Sequence, residues 1–114
     1  MDRTFVYSSL IQSQVDAFPH GELVAKRIED EILKNPIVGD LVQGTGGLRK
    51  MRIADEARNK GKRGGLRVFY LDLPDMKRTH LVFLLRKGES ENITEQEKAI
   101  LKKIVARIKQ ESKK

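Results

Sequence analysis

Leu66-Arg67-Val68-Phe69-Tyr70-Leu71-Asp72-Leu73, then Pro74-Asp75, then Arg78-Thr79-His80-Leu81-Val82-Phe83-Leu84-Leu85-Arg86, is the stretch on which the fold turns. Both runs have the β-branched, aromatic and aliphatic composition of strands. Pro74-Asp75 closes the first run, and so short a connection makes the two antiparallel neighbours. Leu81 to Leu85 is continuously apolar, which suits a strand in the middle of a sheet. Just upstream, Leu48 to Ala54 reads as another strand. Alternation puts Met51 and Ile53 on one of its faces, and Lys50 and Arg52 on the other.

Outward from this centre the pattern changes to helix. Thr4 to Tyr7 is a short strand, and Ser8 and Ser9 offer caps for a short helix carrying Leu10, Ile11 and Val15. Pro19-His20-Gly21 breaks it. From Glu22 to Lys34 the residues Val24, Ile28 and Ile32 recur every four, with Leu33 beside them, along one face of an amphipathic helix. Asn35-Pro36 stops that helix, because a residue before proline avoids helical angles. Gly39 to Gly47 and Asp55 to Gly65 read as loops. Thr94 and Glu97 make a capping-box pattern ahead of a last helix, whose Ile100, Leu101, Ile104, Val105 and Ile108 form one stripe opposite a lysine-rich face. The expectation is a single α+β domain over residues 1–114. A small antiparallel sheet of three to five strands carries the N-terminal helices and a C-terminal helix packed on it.

Composition narrows the function. The chain lacks cysteine, so it has no disulfide framework and no thiolate metal site. The longest apolar run is far short of a membrane span, and no apolar signal segment follows Met1-Asp2-Arg3-Thr4; the cytoplasm is the default location. Net charge is +7, unevenly placed. Residues 1–43 hold 4 basic and 7 acidic groups, residues 44–70 hold 8 and 2, and residues 71–114 hold 11 and 7. A basic centre beside an acidic start points to one surface that meets a polyanion, against the plainer alternative of a lysine-rich solubilising surface.

Several chemistries drop out. His20 and His80 are far apart and have no carboxylate–nucleophile arrangement around them. Glu29, Asp30 and Glu31 read as a solvated helix face, and Asp72 and Asp75 as turn residues. Gly44-Thr45-Gly46-Gly47-Leu48-Arg49 lacks the last glycine of a dinucleotide fingerprint. Its Lys50 is misplaced for a P-loop, and a strand follows it where both motifs need a helix. No metal and no cofactor is expected. What remains is a cation cluster of Arg49, Lys50, Arg52, Arg58, Lys60, Lys62, Arg63 and Arg67, with Lys87 at the far end of the third strand. Such a patch suits the phosphate backbone of RNA. The few aromatics argue against a broad base-stacking platform. Metal-free RNA cleavage needs only a base, cations around the phosphorane and an acid, and a lysine crowded by other cations gives up its proton more easily. Charge pattern by itself leaves plain binding and catalysis both open.

Gly39 to Ala54, together with Gly61-Lys62-Arg63-Gly64-Gly65-Leu66-Arg67-Val68-Phe69-Tyr70, resembles the signature of HigB-type toxins in the RelE/ParE superfamily, and the order of elements agrees along nearly the whole chain. The resemblance implies a toxin of a type II toxin–antitoxin system that enters the A site of the 70S ribosome, meets mRNA and rRNA there, and cleaves the mRNA. It implies a cognate antitoxin, HigA-like with a helix-turn-helix or RelB-like. By position it implies Lys50 as general base with Arg52 as its electrostatic partner, and Arg67 for phosphate stabilisation; Arg67 is itself expected to face solvent. It implies Lys87 as a further catalytic cation, and Arg49, Lys60, Lys62, Arg63 and Arg86 as RNA- or ribosome-binding residues. Where family members often carry a tyrosine, this chain has Leu85, with Thr94 at the later place and Tyr70 as the nearest substitute. The competing expectations are a ParE-like inhibitor of DNA gyrase and a nucleic-acid-binding module without catalysis.

Overall fold

The computed structural model describes residues 3–54, 65–86 and 93–113. The elements run β1 (Thr4–Tyr7), α1 (Ser9–Asp16), α2 (Gly21–Lys34), β2 (Asp40–Leu41), β3 (Arg49–Ile53), β4 (Leu66–Leu73), a 3-10 turn (Pro74–Met76), β5 (Arg78–Arg86) and α3 (Glu95–Ser112). The five strands form one sheet in the order β1-β5-β4-β3-β2. The α+β plan and the central place of Leu81–Leu85 are as the sequence reads. Two details differ. The expected loop over Gly39–Gly47 contains β2, a two-residue strand too short to show any periodicity. The sheet is antiparallel except that β1 pairs parallel to β5; α1 and α2 carry the chain from β1 at one edge of the sheet to β2 at the other. The polar stretch 55–64, read as a loop, lies outside the described residues.

The sheet is covered on both faces. Met51, Ile53, Leu66, Val68, Tyr70, Leu81 and Leu84 pack with Ile11, Val15 and Phe18 from α1 and its end, and with Ile28 and Ile32 from α2. On the other face Leu48, Phe69, Leu71 and Val82 pack with Leu101 and Val105 of α3. A register shift in the β4–β5 pairing sets Phe69 opposite Phe83 and Tyr70 opposite Leu81, leaving Val82 as the extra residue. Val82 and Phe83 therefore both reach the α3 side, and the alternation resumes inverted.

That bulge also explains how α1 is held. β1 pairs with β5 only as far as Leu81. Beyond it, Ser8 Oγ donates to the carbonyl of Val82 while accepting from Ile11 N as the N-cap of α1. The Gln14 side chain then spans Leu84, donating to its carbonyl at 2.8 Å and accepting from its amide at 3.0 Å. Two polar side chains thus take over where the edge strand ends, and the β5 backbone keeps its hydrogen bonds.

Asp72, read as a turn residue, does something else. Its carboxylate pairs with Arg3 and accepts from Thr79 Oγ1, with both charged side chains under a tenth exposed. Of the expected helix stripe, only Leu101 and Val105 are buried, whereas Ile100 and Ile104 stay exposed, because five positions span more of a helix than one line of contact on a sheet covers.

Candidate nucleic-acid interface

Helix α3 packs on its face of the sheet through Leu101 and Val105. The glycine loop before β3 receives it. Lys109 Nζ donates to the Gly46 carbonyl at 2.7 Å, and Gly46 lies against Val105. Gly46 and Gly47 have φ of 81° and 127°, angles open to glycine. Thr45, fully buried, locks the turn by donating to the Val42 carbonyl and accepting from Leu48 N. The glycine stretch, read from sequence as a loop, forms an ordered seat for the helix.

Side chains on the same face of the sheet form two rows across the strands. Opposed residues of an antiparallel ladder share a face, with Cβ atoms about 4.5–5.5 Å apart. The first row is Asp40 on β2, Lys50 on β3, Phe69 on β4 and Phe83 on β5. The second is Arg52, Arg67 and Leu85. Lys50 is half-buried and Arg52 exposed. Arg67 is 9 % exposed, and its Nη1 is buried with no hydrogen-bond partner among the described residues. The expectation that Arg67 is solvent-facing is corrected here. Two arginines directly opposed repel, and nothing described neutralises the inner one. The arrangement suits an anion arriving from outside, such as a phosphodiester.

Two other cations expected to join the patch, Arg49 and Arg86, do not. Arg49 lies on the opposite face, level with Tyr70, and its Nη1 donates to the Gly39 carbonyl at 2.7 Å. Arg86 pairs with Leu66, whose side chain is in the α1–α2 core, and its guanidinium stacks 4.3 Å from the Phe18 ring centre. Lys60, Lys62, Arg63 and Lys87, with Arg58, lie outside the described residues.

Tyr70 is removed as a stand-in for the family's tyrosine. It is fully buried on the far face, donating to the Pro36 carbonyl and accepting from Gly39 N. Burial pushes its phenol up, against the opposing pull of the Gly39 N–H and the Arg49 charge. Thr94 is likewise engaged, as the N-cap of α3 in a complete capping box with Glu97. A depression of about 300 Å³ on the outer stripe of α2, lined by Leu23, Lys26, Arg27, Asp30, Glu31 and Lys34, belongs to the helix that packs on the other face. Its charges are matched along the helix, Lys26 with Asp30 and Lys34 with Glu31.

Three residues of these rows, Phe69, Phe83 and Asp40, were not foreseen from sequence. Phe69 and Phe83 stack with ring centres 4.3 Å apart and planes 4° from parallel, making an aromatic floor beside Lys50. Counting aromatics hid this pair, since its members are separated in sequence and one follows a bulge. Asp40 was hidden because its strand has only two residues.

No family model matches the chain. The fold has solved counterparts. The isolated RelE toxin of E. coli superposes with a TM-score of 0.57 at 14% identity, over 94% of this chain and 99% of the toxin chain. The chain shares the RelE fold. A chain of the intact E. coli RelBE toxin–antitoxin complex gives a TM-score of 0.54 at 15% identity, over 80% of this chain and 100% of that one. Among the described residues, no helix is long and apolar enough to cross a membrane.

Proposed function

We propose that this chain is the toxin of a type II toxin–antitoxin pair and acts as an endoribonuclease on ribosome-bound mRNA. The observation that carries the reading is the gathering of Lys50, Arg52 and Arg67 on one face of the sheet, with Arg67 buried and its Nη1 without a hydrogen-bond partner among the described residues. A RelE-like fold across the chain supports it. In the reaction, the 2′-oxygen attacks the adjacent phosphorus and the bond from phosphorus to the 5′-oxygen breaks. A 2′,3′-cyclic phosphate and a 5′-hydroxyl result. Arg52 and Arg67 meet the charge that builds on the phosphorane, and fixed cations of this kind stabilise a transition state more than a ground state. Lys50 lies on the same face, placed for proton transfer. The family resemblance assigns Lys87 as a further catalytic cation and Lys60, Lys62 and Arg63 to contacts with the RNA and ribosome. The partners in this reading are the 70S A site and a cognate antitoxin, RelB-like or HigA-like. The place of action is the cytoplasm.

Leu85, opposite Arg67 where the family often has tyrosine, favours a second reading in which the face only binds. In that case the chain acts as a ParE-like inhibitor of gyrase or as a non-catalytic nucleic-acid module. Primer extension on mRNA with translating ribosomes, with and without the protein and in the presence of a chelator that leaves ribosomes intact, separates the two. Codon-phased cuts support the nuclease; intact mRNA with inhibited supercoiling supports the gyrase reading.

A further inference from the structure

The first row across the sheet opens with a carboxylate. Asp40 is exposed, sits on the edge strand, and is paired in register with Lys50. Its face is fixed independently of the short strand. Val42, two residues on, bonds through its amide to the Leu48 carbonyl and packs in the α3-side core with Leu48. Residues two apart on a strand share a face, so Asp40 stands with Lys50 on the cationic side. Gly39 holds the strand at this point. A Cβ there would come within 2.9 Å of the Lys50 carbonyl oxygen, so β2 is pressed directly onto the residue that Asp40 faces.

A cleavage site needs one group that takes a proton and another that gives one. An ionised carboxylate is purely an acceptor, whereas an ammonium is purely a donor. We infer that Asp40 and Lys50 divide the two proton transfers, Asp40 as the base and Lys50 as the acid. This rests on the nuclease reading above, and it reverses the role that the family resemblance implies for Lys50. The Asp40 carboxylate takes the proton of the 2′-hydroxyl as its oxygen bonds to phosphorus. The Lys50 ammonium gives a proton to the 5′-oxygen as that oxygen leaves. The cation pair Arg52 and Arg67, one row away, holds the phosphoryl oxygens between them.

The test measures single-turnover cleavage of ribosome-bound mRNA by wild-type protein and by Asp40→Asn, Asp40→Glu and Lys50→Ala. Two substrates are compared, ordinary mRNA and mRNA with sulfur at the bridging 5′ position of the cut, a leaving group that needs no proton. Asp40→Asn is expected to slow cleavage of both substrates by about 10²–10⁴, with Asp40→Glu recovering much of the loss. Lys50→Ala is expected to be slow on the ordinary substrate and near wild-type on the sulfur one. The melting temperature of Asp40→Asn should match wild type, because the side chain is exposed. Wild-type cleavage that Asp40→Asn matches overturns the inference and leaves the nuclease reading standing. Sulfur rescue of Asp40→Asn in place of Lys50→Ala overturns the assignment of roles. Absence of cleavage by wild-type protein overturns both.

Discussion

Arg67 sits on a central strand with its guanidinium almost wholly out of solvent and its Nη1 unmatched among the described residues. A buried unsatisfied charged donor costs the fold free energy, of order 1–3 kcal/mol or more. Replacing Arg67 with methionine, which fills similar space without charge, is therefore expected to raise the denaturant midpoint while cleavage falls about 10²–10³-fold. A fall in both would show that the guanidinium is matched in the free protein. His80 makes a second residue-scale case. Burial holds its imidazole below its ordinary value of about 6.5, helped by the Arg78 charge, and its Nε2 is buried without a partner among the described residues. The neutral ring contributes stability that is fully present above that ordinary value. As pH falls through it toward the lower folded value, the unfolded chain takes up the proton first and stability declines. Urea midpoints at about pH 7.5, 6.5 and 5.5 should fall less steeply in His80→Gln than in wild type; equal slopes would assign the acid sensitivity elsewhere. Legibility at this scale followed regularity. Lys50 and Arg52 were readable as a facing pair because β3 alternates without interruption. Arg49 was grouped with them by nearness in sequence, although one step along a strand reverses the face. Arg86 lies past the Val82 bulge, where local alternation no longer tells the side.

At the scale of elements, the site depends on how β2 and α3 are seated. β2 pairs through only two residues and is placed by Gly39, whose missing Cβ leaves room for the Lys50 backbone and the Tyr70 ring. Gly39→Ala would meet the Lys50 carbonyl oxygen at 2.9 Å and Tyr70 Cε1 at 3.0 Å. It is expected to cost about 1–3 kcal/mol, as overpacking of a core does, and to lower cleavage by displacing the Asp40–Lys50 row. Thermal melting and single-turnover rates on one sample check both; unchanged values would mean that β2 shifts freely without consequence. The long elements were legible because each carries its own period and punctuation. α2 has its apolar repeat and the Asn35-Pro36 stop, and α3 has its Thr94–Glu97 box. β2 was not, because two residues carry no period. The parallel β1–β5 pairing was not, because its partner lies more than seventy residues away and nothing local encodes direction.

Across the whole molecule, the sheet separates two jobs. One face is closed by α1 and α2 over the larger apolar core, while the other packs under Leu101 and Val105 of α3 and also carries Lys50, Arg52 and Arg67. The net charge of +7 is thus less informative than its placement. Lys26 and Lys34 ride on the helix of the opposite face, each beside a carboxylate. The division of faces is the central claim, and single-turnover cleavage of ribosome-bound mRNA by three single variants tests it most directly. Arg52→Ala and Arg67→Ala should each lose about 10²–10³ in rate, whereas Lys26→Ala, which removes the same charge from the other face, should stay within about two-fold of wild type. Equal losses in all three, or none in the two arginine variants, would contradict a phosphodiester-cleaving surface on this side of the sheet.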